Sequence, residues 1–417
     1  MQVINNLVGI GPNQLAALNT APVIDTSIGG VRLPRQQQGQ QPALAPGGQN
    51  LPPGFDRRIV DIPPLTETNL IKDEAVVQML TSITIERLRD AVAPLGVEIL
   101  AWENLAITGS TAVRLRFTDG RTVQEVIQAL AGIQFLAVVQ PQYVFRLHQQ
   151  GGDTTPASRG DTGPKGDAAQ YILEKLKISD VHRMVRGTNV PIAVIDSEID
   201  ATHPDLEGVI AQRFSAVDAA EKPHAHGTGM AGAIAAHQRL LGTAPGARLL
   251  AVNAFSTTAA SGEGTTFNIL KGIDWSVRQG ARIINMSFAG PKDPSLERAL
   301  QAAYDKGIVL IAAAGNAGPK SPPLFPGALS PYVIAVTATD VDDKLFANAN
   351  RGKYISLAAP GAGARGRVSN YHRNVGRGGR GERHRGVAAG AQSETDAGRH
   401  SPHPDRERKA ARARRAR

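Results

Sequence analysis

The 417-residue sequence contains no cysteine, which excludes disulfides, thiolate metal sites and a cysteine nucleophile together and leaves the redox compartment open. It contains no run of about 18 apolar residues, the length a membrane-spanning helix needs, so no membrane partner is expected. The first residues, Met1 to Ile24, have neither the basic start nor the compact apolar stretch of a signal peptide. No Leu, Ile, Phe, Met or Trp follows Leu357, and a segment without them cannot build a strand or helix with a core-facing side. His203 has no second ligand at metal spacing and no calcium-binding loop is evident, so no metal and no cofactor is expected.

The charge is unevenly placed. Of the formal net charge of +9, Arg365 to Arg417 hold 15 Lys and Arg against 5 Asp and Glu, so residues 1–364 carry 31 basic against 32 acidic side chains. The basicity belongs to a terminal segment, and nucleic acid is not expected as a partner of the folded body.

Organisation follows from composition and period. Residues 1–57, with Gln36-Gln37-Gln38-Gly39-Gln40-Gln41-Pro42, read as a disordered leader. Residues 58–147 alternate strand and helix patterns. A strand at Val76–Leu80 is followed by Ile85, Leu88, Val92 and Leu95 at helical spacing, then by strand-like runs at 97–107 and 112–117. Thr122 and Glu125 form a capping box for a second helix, and two strand-like runs at 135–139 and 143–147 close the unit. The order β-α-β-β-α-β is ferredoxin-like. Residues 148–170 read as a polar linker, in which Arg159-Gly160-Asp161 and the collagen-like Gly160 to Gly166 are chance features. From 171 to 361, apolar runs at 192–195, 249–252, 283–286, 309–313 and 333–336 alternate with helical segments at about 228–238, 265–279 and 295–306. That pattern predicts an α/β domain, a parallel sheet with helices on both faces.

Reactive groups in such sheets gather at the carboxyl ends of strands. Asp196 ends the run Ile192-Ala193-Val194-Ile195, and Asn316 sits in Ala313-Ala314-Gly315-Asn316-Ala317-Gly318 just past another. His226 opens His226-Gly227-Thr228-Gly229, where glycines permit close backbone approach. His224 is nearby but lacks that context. A carboxylate to orient an imidazole, an imidazole to act as base and an amide to stabilise an oxyanion are the parts needed for amide hydrolysis, apart from the nucleophile.

These motifs resemble the catalytic domain of subtilisin-like serine peptidases. The separations of 30 residues from Asp196 to His226 and 90 from His226 to Asn316 compare with roughly 32 and about 91 in subtilisin. Asp196-Ser197-Glu198 stands where the family has Asp-Ser/Thr-Gly, and His203-Pro204-Asp205-Leu206 and Gly242 to Ala247 also resemble family segments. The resemblance implies that Asp196, His226 and Asn316 are catalytic. It implies further that a substrate strand binds along Gly262 and Gly264 on one side and Ser287, Phe288 and Ala289 on the other, with Gly315 at the same site. It implies that residues 58–147 form an intramolecular propeptide, that polypeptides are the substrates, and that the protein is secreted or periplasmic.

The motif resemblance runs through Ile355 to Gly361 and ends there. The family spacing, roughly 157 residues after the histidine, falls on Arg383, and none of Ser369, Ser393 and Ser401 follows a Gly-Thr pair. Residues 362–417 therefore read as a disordered basic tail in place of the serine segment, the product of a frame disruption or a selected Arg/Gly-rich extension. The expectation is a serine endopeptidase by lineage, inactive in this chain. The alternatives are a pseudopeptidase that binds peptides without turnover and a polyanion binder acting through the tail.

Overall fold

The structure is a computed structural model that describes residues 57–147, 170–257 and 262–361. The leader, the linker between the two domains and the basic tail lie outside these residues. In chain order the elements are β1 (Ile59–Val60), β2 (Leu70–Leu80), α1 (Ile85–Val92), β3 (Val97–Leu105), β4 (Ser110–Phe117), α2 (Val123–Leu130) and β5 (Leu136–Leu147). They continue with α3 (Tyr171–Lys175), α4 (Ile178–Met184), β6 (Pro191–Asp196), β7 (Ile210–Ser215), α5 (Ala225–Ala235), β8 (Arg248–Asn253), β9 (Glu263–Thr265), α6 (Thr266–Arg278) and β10 (Ile283–Met286). The last are β11 (Phe288–Ala289), α7 (Pro294–Asp305), β12 (Val309–Ala313), β13 (Val333–Thr339) and β14 (Ile355–Pro360).

The N-terminal unit has the ferredoxin-like order. Its main strands are arranged β5-β2-β4-β3, with β1 parallel to β5 at the outer edge. Thr122 and Glu125 form the expected capping box at α2. One face of the sheet, through Ala75, Val77, Met79, Val113 and Leu115, packs on Leu88 and Val92 of α1 and Val126, Ile127 and Leu130 of α2. One expectation needs correcting. The two short runs at 135–139 and 143–147 are a single 12-residue strand that continues through Gln140-Pro141-Gln142.

The larger unit is a seven-stranded sheet in the order β14-β13-β12-β10-β6-β8-β7, and every pairing in it is parallel. Its central strands alternate strictly. Ile192, Val194, Leu249 and Ala251 face Ala231 and Ala235 of α5 on one side. Ala193, Ile195, Leu250, Val252, Ile284, Met286, Leu310 and Ala312 face α6 and α7 on the other. Burial on both faces is why these strands read as unbroken apolar runs. The helices start or end within three residues of the predicted positions. Strand β7 and helices α3 and α4 carried no such run and were not anticipated.

The second face of the small sheet is partly covered by the larger unit. Leu105, Ile107, Tyr143, Phe145 and Leu147 join the same core as α6 and α7, and two glutamines of β5 meet the starts of those helices. Gln140 donates through Nε2 to Asp293 Oδ1 at 2.9 Å and accepts through Oε1 from Ser295 N at 3.0 Å and Ser295 Oγ at 2.7 Å. Gln142 Oε1 accepts from Phe267 N at 3.2 Å. The first N–H groups of a helix have no partner within it, so an acceptor brought by another element satisfies a real deficit. Asp293 is the N-cap of α7, takes hydrogen bonds from Thr266 Oγ1 and Leu296 N as well, and is pushed above the ordinary carboxylate range by burial despite those donors.

Truncating Gln140 to alanine leaves Ser295 N without its acceptor in a buried interface. Gln140→Ala should lower stability in urea unfolding by about 2 kcal/mol, whereas Trp102→Ala, at a residue 50% exposed, should change it by less than about 1 kcal/mol.

Candidate active site

The parallel sheet brings Asp196 and the Asn316 turn to the same edge. Asp196 is the last residue of β6 and is fully buried. Asn316 follows β12, which is separated from β6 only by β10. His226 is the second residue of α5, which packs on the β6 face. The imidazole Nδ1 lies 2.7 Å from Asp196 Oδ1. Asp196 Oδ1 also accepts from Ser197 N at 2.7 Å and from Ser197 Oγ at 3.1 Å, while Oδ2 is buried without a hydrogen-bond partner.

Two local features set this geometry. Gly227 carries the first: a Cβ there would sit 2.3 Å from the Ser197 carbonyl oxygen, so only glycine lets the helix start lie directly on the end of β6. Gly227 N in turn donates to Ser197 Oγ at 3.0 Å. The second is the N-cap. His224 accepts from His226 N at 3.2 Å through Nδ1, and Thr228 Oγ1 donates back to His224 O at 2.9 Å. His224 thus holds the start of the helix, and His226 is the histidine that faces Asp196. Glu198, in place of the family's glycine, does not have a positive φ and pairs with Arg213 of β7.

Electrostatics follow the contacts. Burial pushes His226 down, but the Asp196 carboxylate outweighs it through its charge and hydrogen bond, so the imidazole is held above its ordinary value of 6.5. His224 is pushed below its ordinary value by burial and by the neighbouring His226, with Asp196 and Glu221 opposing. His203 is a structural residue: it is buried, and its Nδ1 accepts from Asp205 N at 3.2 Å to cap a short helical turn. Among the described residues no group of three or more His, Asp or Glu side chains is arranged to hold a metal ion.

Asn316 is half-buried, in a turn fixed by a residue that the sequence reading did not single out. Asn350 is 1% exposed; its Oδ1 accepts from Ala317 N at 2.9 Å and its N–H donates to Gly315 O at 3.1 Å. Gly315 has φ +107°, and a Cβ there would come 2.7 Å from Asn350 Nδ2. Tyr354 OH donates to Ala314 O at 2.8 Å. Asn350 lies 33 residues beyond Ala317, too far for any local pattern to announce it.

The segments expected to line a peptide-binding cleft form two walls, and a strand lies between them. It is the end of β5. Val144, Phe145 and Arg146 pair antiparallel with Thr265, Gly264 and Glu263, and on the other side Leu147 and Arg146 pair with Phe288 and Ala289. Leu147 N donates to Gly262 O at 3.1 Å. Ser287 precedes this pairing and accepts from Asn285 Nδ2 at 3.0 Å. Gly315 lies in the Asn316 turn, against Asn350 and Leu324.

A buried carboxylate paired with an imidazole at the carboxyl edge of a parallel sheet, beside two walls that pair with an extended strand, is the geometry that serine peptidases build around their nucleophile. Sequence comparison resolves the class further. Residues 187–391 match the model of the subtilase family. The chain is 31% identical over 301 residues to a thermophilic serine proteinase of Bacillus sp. (strain AK1), covering 70% of each protein. It is 34% identical over 207 residues to thermitase of Thermoactinomyces vulgaris, covering 48% of this chain and 72% of thermitase. The chain belongs to the subtilase family. In structure it is similar to fervidolysin from Fervidobacterium pennivorans, a keratinolytic enzyme related to subtilisin, with TM-score 0.59 and 22% identity over 73% of this chain and 49% of fervidolysin. The family match continues to residue 391, past Gly361 where the recognisable motifs end. Residues 362–391 of that match lie outside the described residues.

Removing the carboxylate leaves burial as the dominant influence on the imidazole. Asp196→Asn should therefore move the His226 titration, followed by NMR of the ring protons, from above 6.5 to below it. The linkage has the matching sign: a histidine whose folded-state value is raised contributes stability fully below pH 6.5, and that contribution fades as pH rises through the raised value.

Proposed function

We propose that this chain has the catalytic arrangement of a subtilisin-type serine endopeptidase without a working nucleophile, and that its N-terminal domain acts as an intramolecular propeptide filling its own substrate cleft. Asp196 orients His226 and stabilises its cationic form, His226 is the general base and then acid, and the Asn316 side chain is the oxyanion donor. Gly262, Gly264, Ser287, Phe288, Ala289 and Gly315 bind the substrate backbone. Residues 1–57 are a leader, 58–147 the propeptide, 148–170 a linker, 171–361 the catalytic domain and 362–417 a basic tail.

The observation that carries this reading is the placement of residues 144–147 as a strand between 262–265 and 288–289, on the same sheet edge as the pair formed by His226 and Asp196 at 2.7 Å. Strand addition binds any extended peptide through its backbone, and a covalently attached strand has the advantage of high effective concentration. Without a nucleophile the remaining groups can bind and polarise a peptide but cannot form an acyl-enzyme. Residues 362–417 contain no Gly-Thr-Ser sequence, and loss of one triad member in subtilisin costs up to about 10⁶ in kcat. The reading as a peptide-binding pseudopeptidase rests on the same cleft, and an incoming peptide would have to displace residues 144–147.

The 417-residue polypeptide should show no labelling by a fluorophosphonate probe and no turnover of an unstructured protein such as casein. Labelling on any serine of residues 362–417, or turnover abolished by His226→Ala, would overturn the proposal.

A further inference from the structure

Backbone pairing along the cleft is indifferent to sequence, so discrimination must come from side chains. Three consecutive residues of β5 occupy it in alternating directions. Phe145 is fully buried, its ring over Gly290, where a Cβ would come 2.5 Å from it, and 5.9 Å from the Phe288 ring. Leu147 is 3% exposed and lies on Gly262, where a Cβ would come 2.7 Å from its Cδ1. Between them Arg146 points the other way, toward the rim, and Glu263 stands directly opposite it. Arg146 Nε and one terminal nitrogen lie 3.2 and 3.1 Å from Glu263 Oε1, and the other terminal nitrogen donates to Asn69 Oδ1. Glu263 belongs to the cleft wall, whereas Asn69 belongs to the N-terminal domain, so only Glu263 would meet a strand supplied from outside.

We propose that Glu263 makes this cleft selective for strands with a basic residue, Arg or Lys, at the position of Arg146, flanked by bulky apolar residues at the positions of Phe145 and Leu147. This rests on the cleft reading above. The apolar neighbours supply anchoring and Glu263 supplies the choice of charge. A glutamate at the same position would face Glu263 across a pair of hydrogen-bonded strands, where like charges repel. The side chains of Arg146 and Glu263 are 45% and 38% exposed, so the preference is modest and salt-dependent.

The test uses the full chain at low salt, with amide hydrogen exchange of residues 144–147 followed by mass spectrometry. Relative to the natural sequence, Glu263→Gln should speed exchange about threefold, and Glu263→Arg or Arg146→Glu about tenfold. The double variant Arg146→Glu with Glu263→Arg should return to within about twofold of the natural chain. The proposal is overturned if Glu263→Arg exchanges like the natural chain, or if the double variant is no better protected than Arg146→Glu alone. Absence of protection in the natural chain would instead overturn the occupied cleft itself, and protection that ignores charge at 263 would sink the selectivity alone.

Discussion

Strand β5 belongs to two structures at once. Its first half pairs with β2 inside the ferredoxin-like sheet, and its last four residues fill the groove between 262–265 and 288–289. Between these halves Gln140 and Gln142 reach the starts of α7 and α6, so one extended segment fixes the small domain against two helices and closes the cleft. The arrangement needs one unbroken strand, Leu136–Leu147. It also needs small residues along the walls: a Cβ at Gly262 would meet Leu147, and one at Gly290 would meet Phe145.

The opposite constraint acts at the carboxyl edge of the parallel sheet, where backbones must approach rather than side chains fill space. Gly227 lets helix α5 lie on Ser197, which brings His226 within hydrogen-bond reach of a fully buried carboxylate. The buried charge is stabilised by the imidazole and by two donors from Ser197. The Asn316 turn is held independently, by Asn350 and Tyr354. Packing that secures the His226–Asp196 pair is therefore separate from packing that secures the amide.

Much of this was legible from sequence because the informative residues are neighbours in the chain. Asp196 at the end of an apolar run, His226 before Gly-Thr-Gly and Asn316 within Gly-Asn-Ala-Gly announce themselves over a few residues. The central strands did so because both their faces are buried. Residues that answer to distant partners did not. Gln140 and Gln142 look like a break in a strand until Asp293, Ser295 and Phe267 are brought to them, and the reading accordingly split β5 in two. Strand β7, with Gln212, Arg213 and Ser215 exposed, is an edge strand without a repeating apolar pattern. Asn350 has no local signature, since its role exists only once the chain returns to the Asn316 turn.

The absence of cysteine gives a direct test of the central claim that residues 144–147 occupy the cleft. Arg146 and Glu263 are directly opposed across the antiparallel pair, close to disulfide reach for such neighbours. In the otherwise cysteine-free chain, Arg146→Cys combined with Glu263→Cys should oxidise to a single intramolecular disulfide, located by peptide mapping under non-reducing conditions. Persistence of two free thiols under oxidising conditions that bridge a cysteine pair placed at the opposed residues Val77 and Val113 of β2 and β4 would contradict it.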